Sequence, residues 1–385
     1  MFVGLDLAFN GVNYGMLLQA YATQVVFDAM GVDTEIIDYK RTDKKGVRLT
    51  PYLTFFFFDK FKNRVISHRR CSPNKEQLSD FQKKNIMLRK EVANEFRLCR
   101  LHDVVECNGY ENLCQIGKKY DAVVVGSDQL WLPEASFGVF RTLRFVPDNV
   151  RKISYATSLG VSQYPFWCKS SAKQFLDRFD YISVREDQGK KIVTSLIEKE
   201  VEVVVDPTYL LTCDEWKKLI PQEKNQYGNY VLCYFLGSDK KARDIAIDYA
   251  RKNGCRLVSI LSNECFLKDD EKFGEVLIGK TPEEFVNLIR NASCVFTDSF
   301  HGMAFSIINK KDFFIFYRKR DGAASRGSRI DNALKNWGLD KRLILNGDEQ
   351  ELTNNNHIDY SEVNVRIAEK REMSLNYIRR SIGGQ

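Results

Sequence analysis

Short apolar runs alternate with amphipathic segments along the chain, and turn residues separate them. Near the N-terminus, Val3–Leu7 has the pattern of a strand, and Met16–Met30 carries apolar residues at helical spacing. Gly31 ends the predicted helix, and Thr34–Asp38 predicts the next strand. This strand–helix–strand opening indicates a doubly wound sheet.

The same alternation continues to the C-terminus. Tyr120–Gly126 is an apolar run followed by a turn, as in a strand buried on both faces, whereas residues 41–118 predict helix only in parts. Further strands are predicted at Lys152–Ala156, Tyr181–Val184, Glu202–Val205, Tyr230–Leu236, Arg256–Ile260, Ala292–Thr297 and Phe313–Tyr317. Further helices are predicted at Lys240–Lys252, Thr281–Arg290, Gly302–Ile308 and Tyr360–Ile382.

This order predicts an α/β protein with two Rossmann-like domains that face a cleft. The chain of 385 residues suits two domains of roughly 150 residues or more each. We place them at residues 1–207 and 208–350, and we expect the C-terminal helix, 360–383, to rejoin the first, with packing on another copy as the alternative. Ligands should bind in the cleft, at the carboxyl ends of the strands.

Composition narrows the functional classes. The formal charge of +7 suits an anionic substrate or membrane surface, but without a dense basic stripe it does not indicate nucleic acid. The ten cysteines form no CxxC pair and there are four histidines, so we expect free thiols in a reducing cytoplasm and no metal. We see no signal peptide and no apolar run of ~18 residues that would span a bilayer.

Two strand-end turns carry candidate chemistry. The turn Gly126-Ser127-Asp128 follows a buried strand, so Asp128 should point into the cleft, although Ser or Asp could simply cap a helix. The turn Thr297–Gly302 precedes a helix, whose N-terminus attracts anions, and His301 adds a group that exchanges protons near neutral pH. The alternative is that Asp298 or Ser299 caps the helix and His301 is solvated.

Other candidates are basic or glycine-bearing. Arg185 leaves the strand Tyr181–Val184 and suits a carboxylate or phosphate, unless it pairs with Glu186, Asp187 or Asp206. The turn Gly237-Ser238 could hold a phosphate. The loop 317–329, which includes Arg326 and Arg329, is either a basic flap over an anionic donor or solvated surface.

These turns, in this order, resemble the polysaccharide pyruvyl transferase family over residues 10–335. The matching pieces are Asn13-Tyr14-Gly15, Leu18-Gln19-Ala20-Tyr21-Ala22, YDAVVVGSDQLW (120–131), Ser154-Tyr155-Ala156-Thr157-Ser158-Leu159-Gly160, ISVRED (182–187), Val205-Asp206-Pro207-Thr208, TDSFHGMAFSIINKKDFF (297–314) and Ser328-Arg329-Ile330. The resemblance implies a GT-B-like fold. It also implies transfer of a pyruvyl group from phosphoenolpyruvate to two hydroxyls of a sugar in a surface polysaccharide or its lipid-linked precursor.

Carried over by position, His301 and Arg185 match residues that the family uses around the donor, and the chemistry of the transfer leads us to assign roles to further residues. His301 would be the acid or phosphate contact, Arg185 with the basic loop the anion clamp, and Asp128 the base. Several family members have an arginine two residues before this histidine; this chain has Ser299, so Arg326 or Arg329 would replace it. Donor contacts are expected from Ser299, Gly302, Gly237, Ser238, Arg326 and Arg329, and acceptor contacts from Asn13, Tyr14 and Trp131. No cofactor or metal is expected.

Two other functions stay open from the sequence. One is a glycosyltransferase of the same architecture that uses a nucleotide sugar, and the other is a non-catalytic scaffold in polysaccharide assembly. The aromatic and basic stretch 49–70 is either a packed hairpin or a contact with an anionic membrane, where a lipid-linked acceptor would sit. The oligomeric state is not predicted.

Overall fold

A computed structural model describes residues 1–42, 78–263, 267, 269–319, 327–345, 352 and 357–383. Arg326 and the stretch 49–70 lie outside these residues. Within them the chain forms two parallel sheets flanked by helices, as the alternation of strands and helices predicts.

The first sheet has the strand order β3-β2-β1-β4-β5-β6-β7. Its strands are β1 (Phe2–Asp6), β2 (Asp33–Lys40), β3 (Val104–Asn108), β4 (Ala122–Val125), β5 (Arg151–Thr157), β6 (Tyr181–Val184) and β7 (Glu202–Val203). The four residues of β4 are all buried, which agrees with their unbroken apolar run. The order reverses between β1 and β4, and there the turn after β4 opens toward the cleft.

The second sheet repeats this topology, with the order β10-β9-β8-β11-β12-β13. Its strands are β8 (Tyr230–Tyr234), β9 (Arg256–Ile260), β10 (Glu275–Leu277), β11 (Cys294–Thr297), β12 (Asp312–Phe316) and β13 (Leu343–Ile344). The order reverses between β8 and β11, so the turns after these two strands form the switch point of this half.

Helices cover both sheets. They are α1 (Tyr14–Ala29), α2 (Asp80–Arg100), α3 (Tyr110–Gly117), α4 (Phe166–Leu176), α5 (Asp187–Thr194), α6 (Cys213–Leu219), α7 (Lys240–Lys252), α8 (Pro282–Asn291), α9 (Phe300–Ile308), α10 (Ser328–Trp337) and α11 (Tyr360–Gly383). No helix in the described part of the chain is long and apolar enough to cross a membrane.

The last helix, α11, returns to the first sheet. The hydroxyl of Tyr377 donates to the carbonyl of Ser154 at 2.8 Å, and the hydroxyl of Ser374 accepts from the amide of Val205 at 3.1 Å. Arg151 donates to carbonyls in the last turn of α11 at 2.6 and 3.1 Å. The helix therefore ties the C-terminus to the half that holds β5 and β7.

Helix α2 links the two halves on another side. The amide of Asn85 donates to the carbonyl of Leu261 at 3.4 Å and accepts from the amide of Gly279 at 3.2 Å. Near the other end of α2, Arg100 pairs with Glu283 at 2.9 Å. These contacts join helix α2 to the half that contains the second sheet.

Candidate active site

The site is centred on Asp206, a fully buried residue after β7. Its Oδ1 accepts from the amide and the hydroxyl of Thr208, at 3.1 and 2.9 Å. Its Oδ2 accepts from the hydroxyl of Ser127 at 3.0 Å and from Nη1 of Arg185 at 2.5 Å. Nε2 of His301 lies 3.6 Å from the same Oδ2. One carboxylate thus joins the turns after β4, β6 and β11.

The environment of Asp206 keeps it ionised. Burial alone would raise the pKa of this carboxyl, but the charges of His301 and Arg185, with the hydrogen bonds from Arg185 and the amide of Thr208, outweigh burial and hold the pKa far below its usual range. Asp206 is therefore a fixed negative charge that anchors the histidine and the arginine.

Arg185 is fixed by Asp206 but not fully satisfied. Its side chain is 3% exposed, and its guanidinium lies 4.6 Å from the ring centre of Phe300. Nε and Nη2 have no hydrogen-bond partner in the described part of the chain, and Nη2 is 3.7 Å from Asp128. Buried donors are normally paired. Two such nitrogens on a charged group suit an anionic ligand.

Asp128 and Arg329 complete the cluster. The backbone of Asp128 has φ 81°, which a non-glycine residue adopts at a cost, and its carbonyl accepts from the amide of Ser158 at 2.8 Å. Nη1 of Arg329 is 3.8 Å from Oδ1 of Asp128. Burial opposes ionisation of Asp128, but Arg185 and Arg329 lower its pKa. Burial, together with Arg185, lowers the pKa of Arg329 to about 10.

His301 lies in the first turn of α9, and it is buried rather than solvated, at 7% exposure. Its ring is perpendicular to that of Phe300 and rests against Gly15, where a Cβ would come within 2.0 Å of the imidazole Cγ. Nε2 is buried and has no hydrogen-bond partner among the described residues. The alternative of a solvated histidine is therefore wrong.

The site thus joins two arginines, a histidine and two carboxylates, and several nitrogens of the arginines and the histidine have no hydrogen-bond partner among the residues that the structure describes. In the described ranges, no group of three or more histidine, cysteine or acidic side chains could hold a metal ion. The sequence matches the family model of polysaccharide pyruvyl transferase over residues 13–320.

The chain belongs to the polysaccharide pyruvyl transferase family. The prediction that the chain is a transferase is confirmed by this match. A comparison with curated proteins gave no match.

Solved structures with this fold include two UDP-GlcNAc 2-epimerases. The enzyme from Neisseria meningitidis, bound to UDP-GlcNAc, has a TM-score of 0.53 and 10% identity, with 100% of both chains covered. The enzyme from Methanocaldococcus jannaschii has a TM-score of 0.53 and 12% identity, also with 100% of both chains covered. At such identity the likeness establishes the fold alone, and it confirms the predicted GT-B-like architecture.

Two predicted donor contacts in this pyruvyl transferase family member are already occupied. The carboxylate of Asp298 accepts from the amides of Leu236 and Gly237, at 2.7 and 2.8 Å. The amide of Ser238 donates to the carbonyl of Lys319 at 3.1 Å. The backbone of the Gly237-Ser238 turn is therefore not open to a phosphate, contrary to the prediction. Burial raises the pKa of Asp298, although the amides and Arg318 oppose that rise.

Ser299 and Gly302 lie at the N-terminus of α9 and form a hydrogen bond with each other. The hydroxyl of Ser299 accepts from the amide of Gly302 at 3.3 Å, so Ser299 is the N-cap, as the capping alternative predicts. A side chain at Gly302 would meet the hydroxyl of Thr297 at 2.6 Å. The amide of Gly302 is thus engaged, which does not fit its prediction as a donor contact, whereas the hydroxyl of Ser299 keeps its own proton to donate and its assignment to the donor stays a prediction.

The predicted acceptor residues are placed away from solvent. Tyr14 is 1% exposed and stacks on Phe285, and its hydroxyl donates to the carbonyl of Lys280 at 2.9 Å. Trp131 is also 1% exposed, and its indole N–H donates to the carbonyl of Arg141 at 3.0 Å. The prediction that these rings line a sugar site therefore does not fit, because packing already covers them.

Asn13, the third residue predicted to contact the acceptor, also makes hydrogen bonds that stabilise the fold. Its side-chain oxygen accepts from the amides of Gly15 and Met16, at 3.0 and 3.4 Å, and so caps α1. Asn13 is half-buried, at the end of α1 that carries Gly15 against His301. It therefore shapes the site through the helix start.

Sequence reasoning missed Asp206 and Phe300 as site residues. Asp206 appears in the sequence analysis as an alternative ion-pair partner of Arg185 and within one of the matching family pieces, but with no role in the site, and Phe300 is not singled out. The available signal, Asp206-Pro207-Thr208, is also the pattern of a capped turn, and Asp206 does cap the 3-10 turn Pro207–Leu210. Only the meeting of three distant turns distinguishes the two roles.

Proposed function

We propose that this protein transfers a pyruvyl group from phosphoenolpyruvate to two hydroxyls of a sugar, in a surface polysaccharide or its lipid-linked precursor, and so forms a cyclic ketal. The observation that carries the proposal is the set of buried nitrogens on Arg185, Arg329 and His301 that have no hydrogen-bond partner in the described part of the chain. Phosphoenolpyruvate brings a phosphate and a carboxylate, the two anions that a planar guanidinium binds best.

The position of Arg329 bears on Ser299, where several family members have an arginine. Arg329 lies beside Asp128, and Phe300 has both guanidinium groups near its ring, at 4.6 Å for Arg185 and 6.0 Å for Arg329. We propose that Arg329 takes the role of the missing family arginine and that the two guanidinium groups bind the phosphate and the carboxylate.

The proposed reaction needs an acid, an anion clamp and a base. His301 gives a proton from Nε2 to the methylene carbon of phosphoenolpyruvate, which becomes the methyl group of the ketal. A sugar hydroxyl attacks the resulting oxocarbenium-like carbon and loses its proton to Asp128. The carbon–oxygen bond to phosphate then breaks, and the second hydroxyl closes the ring as its proton passes to phosphate. The arginines stabilise the leaving phosphate.

Asp206 is not the base in this proposal. Its lowered pKa and its full set of partners make it the residue that holds Arg185 and orients His301. Asp128, with 27% of its side chain exposed, is the carboxylate that a substrate could reach.

The competing function is transfer from a nucleotide sugar. The fold shared with the two epimerases does not support it by itself, because one fold serves many donors.

A lipid-linked acceptor would bring the protein to the inner face of a membrane, and residues 49–70 remain the proposed contact.

A calorimetric titration separates the two functions. Phosphoenolpyruvate and UDP-GlcNAc are titrated into the wild type, His301→Ala and the control His102→Ala, whose ring pairs with Asp28 and Asp103 on an exposed surface. We expect phosphoenolpyruvate to bind, and to bind about tenfold more weakly only in His301→Ala. Saturation by UDP-GlcNAc with no response to phosphoenolpyruvate would overturn the proposal.

A further inference from the structure

Arg185 and Arg329 reach the site from different halves of the molecule. Arg185 follows β6 in the first half, whereas Arg329 is the second residue of α10 in the second half. Their guanidinium groups lie 4.6 and 6.0 Å from the ring centre of Phe300. The spacing of the two groups therefore depends on how α10 is held against the first half.

The guanidinium of Arg329 is not fixed by its own contacts. Its Nη1 lies 3.8 Å from Oδ1 of Asp128, which is longer than a hydrogen bond, and its Nε has no hydrogen-bond partner in the described part of the chain. Arg185, by contrast, donates to Asp206 at 2.5 Å. The position of Arg329 is therefore determined mainly by the backbone of α10.

Asn332 connects α10 to the turn that carries Arg185. Its side-chain nitrogen donates to the carbonyl of Arg185 at 3.4 Å, and its side-chain oxygen accepts from the amide of Asp187 at 3.2 Å. Asp187 is the first residue of α5, so Asn332 also satisfies one of the backbone amides that the start of a helix leaves unpaired. One side chain from the second half thus bonds to the backbone on both sides of Glu186 in the first half.

Arg329 and Asn332 lie on the same face of α10, because residues three apart in a helix are neighbours. Within the second half, the hydroxyl of Tyr317 donates to Asp331, which holds the same turn of α10 from another side. We infer that Asn332 is a positioning residue: by joining α10 to the Arg185 turn, it fixes the spacing of the two guanidinium groups for a ligand that carries two anionic groups. This inference rests on the proposed function, in which each arginine binds one anionic group of phosphoenolpyruvate.

The test is a double-mutant cycle of Asn332→Ala and Arg329→Ala, with Asn336→Ala as the matched control. Asn336 is another half-buried asparagine, one turn later on α10. Calorimetry measures the binding of phosphoenolpyruvate and of inorganic phosphate, a probe with one anionic group, to each protein. Thermal unfolding checks that the variants fold, as expected for alanine in a helix.

We expect phosphoenolpyruvate to bind Asn332→Ala about fivefold to tenfold more weakly than the wild type, because the second guanidinium is no longer held in place. Asn336→Ala should bind it as the wild type does. Inorganic phosphate should bind Asn332→Ala and the wild type within about twofold, since one arginine suffices for one anionic group. In the Arg329→Ala background, adding Asn332→Ala should change the affinity for phosphoenolpyruvate by less than about twofold.

Three results would overturn the inference and leave the proposed function intact. They are an unchanged affinity of Asn332→Ala for phosphoenolpyruvate, equal losses with and without Arg329, and equal losses for phosphoenolpyruvate and phosphate, which a merely loosened fold would give. Failure of the wild type to bind phosphoenolpyruvate would instead defeat the proposed function, and this inference with it.

Discussion

Gly15 and His301 are in contact across the two halves of the molecule. The imidazole of His301 occupies the space that a side chain at position 15 would need, with Cγ and Nδ1 only 2.0 and 2.1 Å from the position of a Cβ. Gly15 belongs to α1, whose first turn Asn13 caps, and His301 belongs to the first turn of α9. The starts of two helices, one from each half, therefore set the position of the imidazole.

Gly15→Ala should displace the imidazole of His301 from its position beside Asp206. A contact of 2.0 Å is far below van der Waals distance, so the ring or the helix start must shift. We expect kcat for phosphate release from phosphoenolpyruvate to fall by about tenfold to a hundredfold, because a displaced acid loses its alignment. The measurement is steady-state kinetics of phosphate release, with thermal unfolding recorded for each variant.

A double-mutant cycle is the control for Gly15. In a His301→Ala background the clash is gone, so adding Gly15→Ala should change the residual rate by less than about twofold. Equal losses in both backgrounds would mean that Gly15 acts on the fold and not through the imidazole.

Asp206→Asn should destabilise the protein by about 3–5 kcal/mol at pH 7, because it leaves Arg185 buried without its main counter-charge. The folded-state pKa of Asp206 is depressed, so its contribution is present above the unfolded value near 3.9 and is lost as pH falls toward the folded value. The difference in free energy of unfolding between wild type and Asp206→Asn should be constant from pH 8 to about 5 and shrink below about 4. Urea unfolding across this range measures it.

Asp148→Asn is the matched control, since that carboxylate is 92% exposed and pairs with Arg178 at the surface. Its effect should be much smaller than that of Asp206→Asn. A difference for Asp206→Asn that stayed constant down to pH 3 would contradict an ionised, anchoring Asp206.

The strands that are buried on both faces could be predicted from the sequence. Ala122–Val125 and Cys294–Thr297 are buried throughout, and both were predicted within two residues of their ends. Val104–Asn108 was missed, because it is the edge strand of its sheet and only Cys107 in it is fully buried. Its mixed pattern does not differ from that of a loop.

The site was predictable only in part. Parallel strands bring their carboxyl ends to one edge, and this rule placed Asp128, Arg185 and His301 near one cleft. It could not distinguish buried rings from exposed ones, and Trp131 was assigned to a sugar when it packs on Phe175 and Phe179. Such packing depends on residues more than forty positions away, and no local pattern encodes it.

Substitutions of Trp131 and Tyr14 should lower the stability of the protein without changing its binding of the acceptor sugar. Trp131→Ala should cost about 3–5 kcal/mol of the free energy of unfolding, because it opens a cavity in a closed aromatic cluster. Tyr14→Phe should cost about 1 kcal/mol, the worth of its hydrogen bond to Lys280. Urea unfolding gives both values. In Tyr14→Phe, which should stay folded, a large rise in KM for the sugar would restore Tyr14 to the acceptor site.

Replacing either arginine, Arg185 or Arg329, with lysine should weaken the binding of phosphoenolpyruvate. Arg185→Lys keeps a positive charge but loses the planar fork that serves Asp206 and the donor together, so we expect phosphoenolpyruvate to bind about tenfold to a hundredfold more weakly. Arg329→Lys should weaken binding by a smaller factor, because the carboxylate that Arg329 meets among the described residues, Asp128 at 3.8 Å, is farther away than Asp206 is from Arg185. Calorimetry with phosphoenolpyruvate measures both. Arg178→Lys, a surface partner of Asp148, is the control and should bind as the wild type does. If Arg329→Lys and Arg329→Ala both bound phosphoenolpyruvate as tightly as the wild type, Arg329 could not be the residue that compensates for Ser299.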